Sequence, residues 1–235
     1  MVTAIAIIPA RGGSKRIPRK NVIPFRGRPM IEWTIDAALG SGLFDTVLVS
    51  TDDEGIAETA VSAGADVPFL RQAHADDHSP VSEAVLSALG QAVTHFGKDF
   101  DTVVQLMPNC PLRDTDDIRK AWDNFFAHGH DFQISAFEFG WMNPWWAGRL
   151  GSDGQPTWLF PEERMSRSQD LDRLYCPTGA IWMAKSAALV QSGSFYGPGH
   201  VLFPMSWQSA IDIDDLSDLE MAEAAAIIRS RSKGS

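Results

Sequence analysis

Cysteine is scarce in this sequence: Cys110 and Cys176 are the only two in 235 residues. Neither belongs to a CxxC pair or a finger spacing, which excludes a disulfide scaffold and a structural zinc site and points to a reducing compartment. Long apolar runs are also missing. None approaches the ~20 residues a membrane helix needs, and the short apolar stretch near the N-terminus runs straight into basic residues, unlike a signal peptide. The expectation is a cytoplasmic protein with no membrane partner. Basic residues are outnumbered, 20 Lys and Arg against 30 Asp and Glu, for a formal net charge of −10 and a pI near 5.0. General nucleic-acid binding needs a basic face, so nucleic acid is not an expected partner. Internal repeats and low-complexity linkers are absent as well. One α/β domain spanning residues 1–235 is the simplest organisation, and 44% hydrophobic residues suffice for its core.

A local lack is more telling. Between Arg11 and Arg28 there is no acidic residue, while seven of the twenty Lys and Arg fall there. Solvated surfaces usually mix charge signs, so a run of cations with no carboxylate among them is unlike an ordinary solvated turn. The cluster follows the apolar run Ala4-Ile5-Ala6-Ile7-Ile8 and contains Gly12-Gly13-Ser14-Lys15. A strand that empties into a Gly-rich basic loop suits phosphate: glycines let backbone N–H groups approach the oxygens, and the cations offset the charge. The order of residues fits neither GxxxxGK[ST] nor GxGxxG. The loop predicts a nucleotide or other polyphosphate ligand near residues 11–21.

Apolar strand patterns at 4–9, 46–51, 102–107 and 132–138 alternate with helical patterns at 29–39, 53–63, 80–96, 115–127 and about 215–230. Ile31, Ile35 and Ala38 share one helical face, Gly64 suits a helix stop, Pro80 suits a first helical position, and the acidic run from Asp114 suits a helix start. This alternation predicts a mostly parallel sheet with helices on both faces, with ligands at the carboxyl ends of the strands. Residues 139–177 break the alternation and hold four of the eight tryptophans. They read as an excursion: a lid, a subunit contact or an irregular packed connection.

Asp212-Ile213-Asp214 reads as the end of a strand, where a period of two sets both carboxylates on one face. Two close carboxylates need a cation, and Mg2+ is the natural one; the competing reading is a helix cap. Asp52-Asp53-Glu54 reads as a cap for the helix after it. His74 and His78, beside Asp76-Asp77, read as surface polarity rather than a metal site. Ser14, Ser50 and Ser79 lack a nucleophile-elbow context.

The run Ile8-Pro9-Ala10-Arg11-Gly12-Gly13-Ser14-Lys15-Arg16-Ile17-Pro18-Arg19-Lys20-Asn21 closely resembles the opening signature of the acylneuraminate cytidylyltransferase (CMP-sialate synthetase) family. The resemblance continues through Val49-Ser50-Thr51-Asp52, Phe69-Leu70-Arg71, Ala75-Asp76-Asp77, the stretch from Gln105 to Arg113, and Ile211-Asp212-Ile213-Asp214. It implies a Rossmann-like nucleotide-diphospho-sugar transferase fold and a homodimer joined by a protruding segment, here 139–177. The implied reaction is CTP plus a 2-keto sugar acid, giving CMP-sugar and pyrophosphate with Mg2+. By the same resemblance, Arg11, Gly12, Gly13, Ser14, Lys15 and Lys20 hold the triphosphate, and Asn21 and Arg71 contact cytidine. Gln105 contacts the sugar, Asp212 and Asp214 hold Mg2+, and Asp212, Asp214, Lys20 and Arg11 carry the catalysis.

Cys176 stands where sialic-acid enzymes commonly have an Arg before a Pro-Asn-Gly-Ala block, so Arg164, Arg167 or Arg173 is expected to meet the sugar carboxylate. The run Arg167-Ser168-Gln169-Asp170-Leu171 resembles pseudaminic-acid enzymes, which marks Arg167 and Gln169 as substrate contacts. The sugar is therefore expected to be a nine-carbon acid of sialic, pseudaminic or legionaminic type. A Kdo-type synthetase, a sugar-acid phosphatase and a non-catalytic CTP-binding protein are the competing readings. The phosphatase reading is weakened by Leu216, where a DxD nucleophile motif usually has Thr or Val.

Overall fold

The computed structural model describes residues 2–71 and 81–232. The expectations at His74, His78, Ala75-Asp76-Asp77, Ser79, Pro80 and the C-terminal tail beyond 232 lie outside the described residues. Six strands form the main sheet: β1 (Ala4–Pro9), β4 (Thr46–Ser50), β5 (Thr102–Gln105), β6 (Phe132–Glu138), β9 (Tyr175–Lys185) and β10 (Val201–Pro204). Two short hairpins lie outside it, β2 (Pro24–Phe25) with β3 (Arg28–Pro29), and β7 (Gly148–Leu150) with β8 (Pro156–Trp158). The helices are α1 (Met30–Ser41), α2 (Glu54–Ser62), α3 (Val81–Phe96), α4 (Thr115–His128), α5 (Ser186–Ser192) and α6 (Leu216–Ser232).

The sheet order is β10-β6-β9-β5-β1-β4. β1 pairs in parallel with β4 and β5, and β10 with β6, whereas β9 runs antiparallel between β5 and β6. Strand period divides the core: Ala6 and Ile8 face a cluster with Ile31 and Ile35 of α1, Ile56 of α2 and Phe125 of α4. Ile5 and Ile7 face the opposite cluster, with Val85 and Leu89 of α3 and Leu189 of α5. Burying one such Ile contributes ~2 kcal/mol. A third cluster joins Ile17, Phe25 and Met30 to Ile213 and to Ala222 and Ala225 of α6, which ties the basic loop to the C-terminal helix.

The structure corrects several expectations. Residues 211–214 form no strand: Ile213 N–H donates to the Asn109 carbonyl (2.9 Å) instead of joining a sheet ladder. The segment therefore hangs beside the sheet, on the turn after β5. Strands expected to run to 51 and 107 end at Ser50 and Gln105. The 139–177 excursion, which breaks the helix–strand alternation of the sequence, has short elements of its own. It holds the β7–β8 hairpin and three 3₁₀ turns, and from Tyr175 the chain is already in β9. Asp53 caps α2 by accepting from Ile56 N–H (2.9 Å), and Asp114 caps α4 in a reciprocal capping box.

Candidate active site

β5, β1 and β4 present their carboxyl ends side by side, so three segments meet there: the basic loop after β1, Asp52 after β4, and the turn 106–110 after β5. The ladder continues a step past the strands through Ala10 N–H to Ser50 O (2.9 Å) and Leu106 N–H to Ile7 O (3.1 Å). The loop needs glycine at position 12. Gly12 N–H donates to Asp52 Oδ1 (2.9 Å), and a Cβ there would stand 2.8 Å from Asp53 Cβ. At Gly13 nothing lies within 4 Å of such a Cβ. Arg19 takes a left-handed backbone (φ 54°), after which Lys20–Val22 form one 3₁₀ turn. That reversal brings Lys20 and Asn21 back toward the sheet, and Asn21 Nδ2 donates to Arg11 O (2.9 Å).

These segments enclose a cavity of about 580 Å³, a volume suited to a nucleotide. Arg11, Gly13, Ser14, Lys15, Arg16, Lys20, Asn21 and Arg71 line it, and Asn109, Asp212 and Asp214 close the far wall. The Arg71 guanidinium is buried 3.9 Å from Asp52, with its Nε unpartnered among the described residues. Burial lowers the Arg71 pKa, and Asp52 opposes that shift. Asp52, taken from sequence as part of a helix cap, thus holds Gly12 and faces Arg71, while Asp53 alone caps.

The acidic pair sits under this cluster. Lys20 Nζ donates to Asp214 Oδ1 (2.7 Å), and the Arg16 guanidinium donates to Asp214 Oδ2. Burial pushes Asp214 up, but the bonds and charges of Lys20 and Arg16 outweigh it and leave its pKa low. Asp212 is more deeply buried and faces the charge of Asp214, and its carboxyl is pushed up to about 6. Both carboxylates converge on the Asn109 amide. The helix-capping task falls to Asp215, which accepts from Asp218 N–H while its own N–H donates to Asp218 Oδ2. Asp212 and Asp214 are left to face the cavity.

A second cavity of about 640 Å³ adjoins the first, and Asp212 lines both. Its walls are mostly apolar: Phe137, Phe139, Trp141, Met142, Trp207 and Met221, with Cys176 and Gly179 from β9. Its charged lining residues are Glu138, Asp212 and Asp218. Gly179 is another close approach, since a Cβ there would stand 2.7 Å from Met107 Cγ.

Of the sequence-predicted residues, the fold brings Arg11, Gly13, Ser14, Lys15, Lys20, Asn21, Arg71, Asp212 and Asp214 around one cavity, with Gly12 behind it. Gln105 lies just behind the shared wall, donating to Gly179 O (3.2 Å) with its Oε1 buried and unpartnered among the described residues. Arg167 and Gln169 are exposed on a 3₁₀ turn of the excursion and line neither cavity; Arg173 pairs with Glu138 (3.6 Å). Sequence reasoning missed Arg16 as the partner of Asp214, the whole apolar cavity, and Asn109. A further omission is Arg113, a fully buried guanidinium that donates to Ala180 O (2.8 Å) beneath the 107–110 turn. Burial depresses its pKa to about 10.

A family model described as Cytidylyltransferase matches residues 5–151. The chain is 36% identical over 93% of its length to a pseudaminic acid cytidylyltransferase of Campylobacter jejuni, covering 94% of that protein. It is 35% identical to a CMP-N,N'-diacetyllegionaminic acid synthase of Legionella pneumophila, with 93% of this chain and 94% of that protein covered. In structure it resembles a CMP:2-keto-3-deoxy-manno-octonic acid synthetase complexed with CTP, at a TM-score of 0.71 and 15% identity, over 97% of this chain and 99% of that one.

Proposed function

This chain belongs to the cytidylyltransferase family and is a nucleotidyltransferase, and from that premise we propose that it transfers CMP from CTP to a nine-carbon 2-keto sugar acid, releasing pyrophosphate. The observation that carries the proposal is the meeting of two unlike cavities at Asp212, one cationic and one apolar. A hydroxyl that attacks phosphorus in the first must approach from the second.

In this reading Arg11, Lys15 and Lys20 receive the triphosphate, and Asn21 and Arg71 receive the cytosine end. Lys20 and Arg16 now neutralise Asp214, so phosphate binding exchanges one anionic partner for another at these side chains. Their charge then stabilises the departing pyrophosphate. Gln105 steadies the Gly179 segment of the shared wall by donating its amide N–H to the Gly179 carbonyl.

The acidic pair fits Mg2+. Its two carboxylates converge on one point, and the buried Asn109 Oδ1 beside them has no partner among the described residues. Mg2+ commonly takes one or two protein carboxylates and fills its shell with phosphate oxygens and water. Held by Asp212 and Asp214, the cation would offset charge at the α-phosphate and acidify the attacking hydroxyl.

The apolar walls favour an acid whose far end is deoxygenated and N-acylated over one ending in free hydroxyls. The relatives named for pseudaminic and diacetyllegionaminic acids agree with that preference. The excursion exposes Trp141, Leu150 and Met165, a surface suited to a second copy of the chain; sedimentation that finds a monomer at micromolar concentration would remove this part.

The test is pyrophosphate release with Mg2+ and each of CTP, ATP and UTP, across pseudaminate, diacetyllegionaminate, N-acetylneuraminate and Kdo. Release with CTP and a diacylated acid is expected. Release with Kdo alone would reassign the acceptor, and CTP binding without release from any acid would favour a non-catalytic role.

A further inference from the structure

Asn109 lies on the turn after β5 and is 2% exposed. Its Nδ2 donates toward Asp212 Oδ1, the Ile213 carbonyl (3.1 Å) and Asp214 Oδ1 (3.4 Å). That is three acceptors for two hydrogens. Its Oδ1 is buried without a hydrogen-bond partner among the described residues. The backbone around it is fixed, since the Asn109 carbonyl accepts from Ile213 N–H (2.9 Å). A half-turn of the amide about its last side-chain torsion exchanges the two ends in nearly the same volume.

The two ends answer opposite charges. Facing two carboxylates with no metal between them, the NH2 end is favoured, because it donates toward an oxygen of each. Facing a divalent cation between those carboxylates, the NH2 end is repelled, and the carbonyl is a hard oxygen donor of the kind Mg2+ and Mn2+ accept. We propose that Asn109 is a two-state ligand: its NH2 bridges Asp212 and Asp214 while the metal is away, and its Oδ1 becomes the third protein oxygen on the metal when it binds. This rests on the reading of Asp212 and Asp214 as metal ligands. It assigns to the β5 turn a direct part in cation binding, and it explains the orphaned oxygen. The bridging state also keeps the carboxylates together between turnovers, so the cation meets a formed site.

The experiment uses Mn2+ with the full chain and no nucleotide. Asparagine labelled with 13C at Cγ is incorporated, and electron–nuclear double resonance is recorded on the bound Mn2+. A 13C contact coupling is expected, because spin density reaches that carbon only through a bonded oxygen. It should vanish in Asn109→Ala or, if that variant does not fold, in Asn109→Thr, which separates Asn109 from Asn21 in the same cavity. Free Mn2+ counted by its solution resonance should show about tenfold weaker binding in the variant. Bound Mn2+ without the coupling, or with a coupling that persists in the variant, overturns the role of Asn109 and leaves the metal reading standing. No Mn2+ binding to the parent chain overturns both.

Discussion

The two cavities share a wall and little else. The cationic one is built mainly from a contiguous loop, Arg11 to Asn21, with Arg71, Val81 and Ala84 of α3, residues 107–109 after β5, and Asp212 and Asp214 before α6 added. The apolar one is assembled from four separate stretches: 137–142, 176–179, 207–212 and 218–221. In the proposed reading the first would bind by fixed charge, which demands particular residues in a particular order. The second would bind by shape and exclusion of water, which many combinations of side chains supply. Recognition of a constant nucleotide and of a variable acid would thereby be divided between a motif and a surface.

Mutations at the wall test the division most severely. Replacing Asp214 or Asp212 by Asn should lower turnover about 10³-fold, as expected from several kcal/mol of lost charge stabilisation. CTP affinity measured by calorimetry should change only a few-fold; equal losses in both would merge the wall with the nucleotide site. The same wall governs stability without ligand. The Asp212 carboxyl rises from 3.8 to about 6 on folding, so the native state holds its proton more tightly than the unfolded chain. Its stabilising contribution is complete below pH ~4 and lost as pH rises through about 6, on the order of 3 kcal/mol. Asp214 shifts the other way, so its contribution is lost only as pH falls below the ordinary carboxylate range. Denaturant unfolding from pH 4 to 7 should show the decline, and Asp212→Asn should flatten it.

Smaller effects should stay on one side. Lys20→Ala or Arg71→Ala should raise the KM for CTP about 10–100-fold, the value of a charged hydrogen bond, with the KM for the acid unchanged. Trp207→Ala should do the reverse, raising the acid KM about fivefold through lost apolar contact. A variant that moves both constants alike would show that the cavities act as one.

The same contrast explains what was legible in the sequence. β1, β4, β5 and β6, with the five long helices, follow from apolar periodicity, and the basic loop from its charge and glycines. β9 escaped because Pro177 and Gly179 interrupt it, and because its pairing with β6 shifts register between Ile134 and Ala136. β10 is short and only half buried. The apolar cavity left no mark because Phe137, Trp207 and Met221 come together only after folding. Asn109 and Arg113 lie within the family-like stretch from Gln105 to Arg113, but their roles depend on partners about a hundred and about seventy residues away.

The antiparallel run of β9 has a consequence of its own. The excursion enters the sheet at Tyr175, and within five residues the strand has reached Gly179 at the shared wall. A change of length or sequence before Tyr175 can thus reshape the acceptor side while the parallel strands carrying the basic loop stay in place. The strand is the hinge of the layout: one face of the molecule can be retailored through it without disturbing the other.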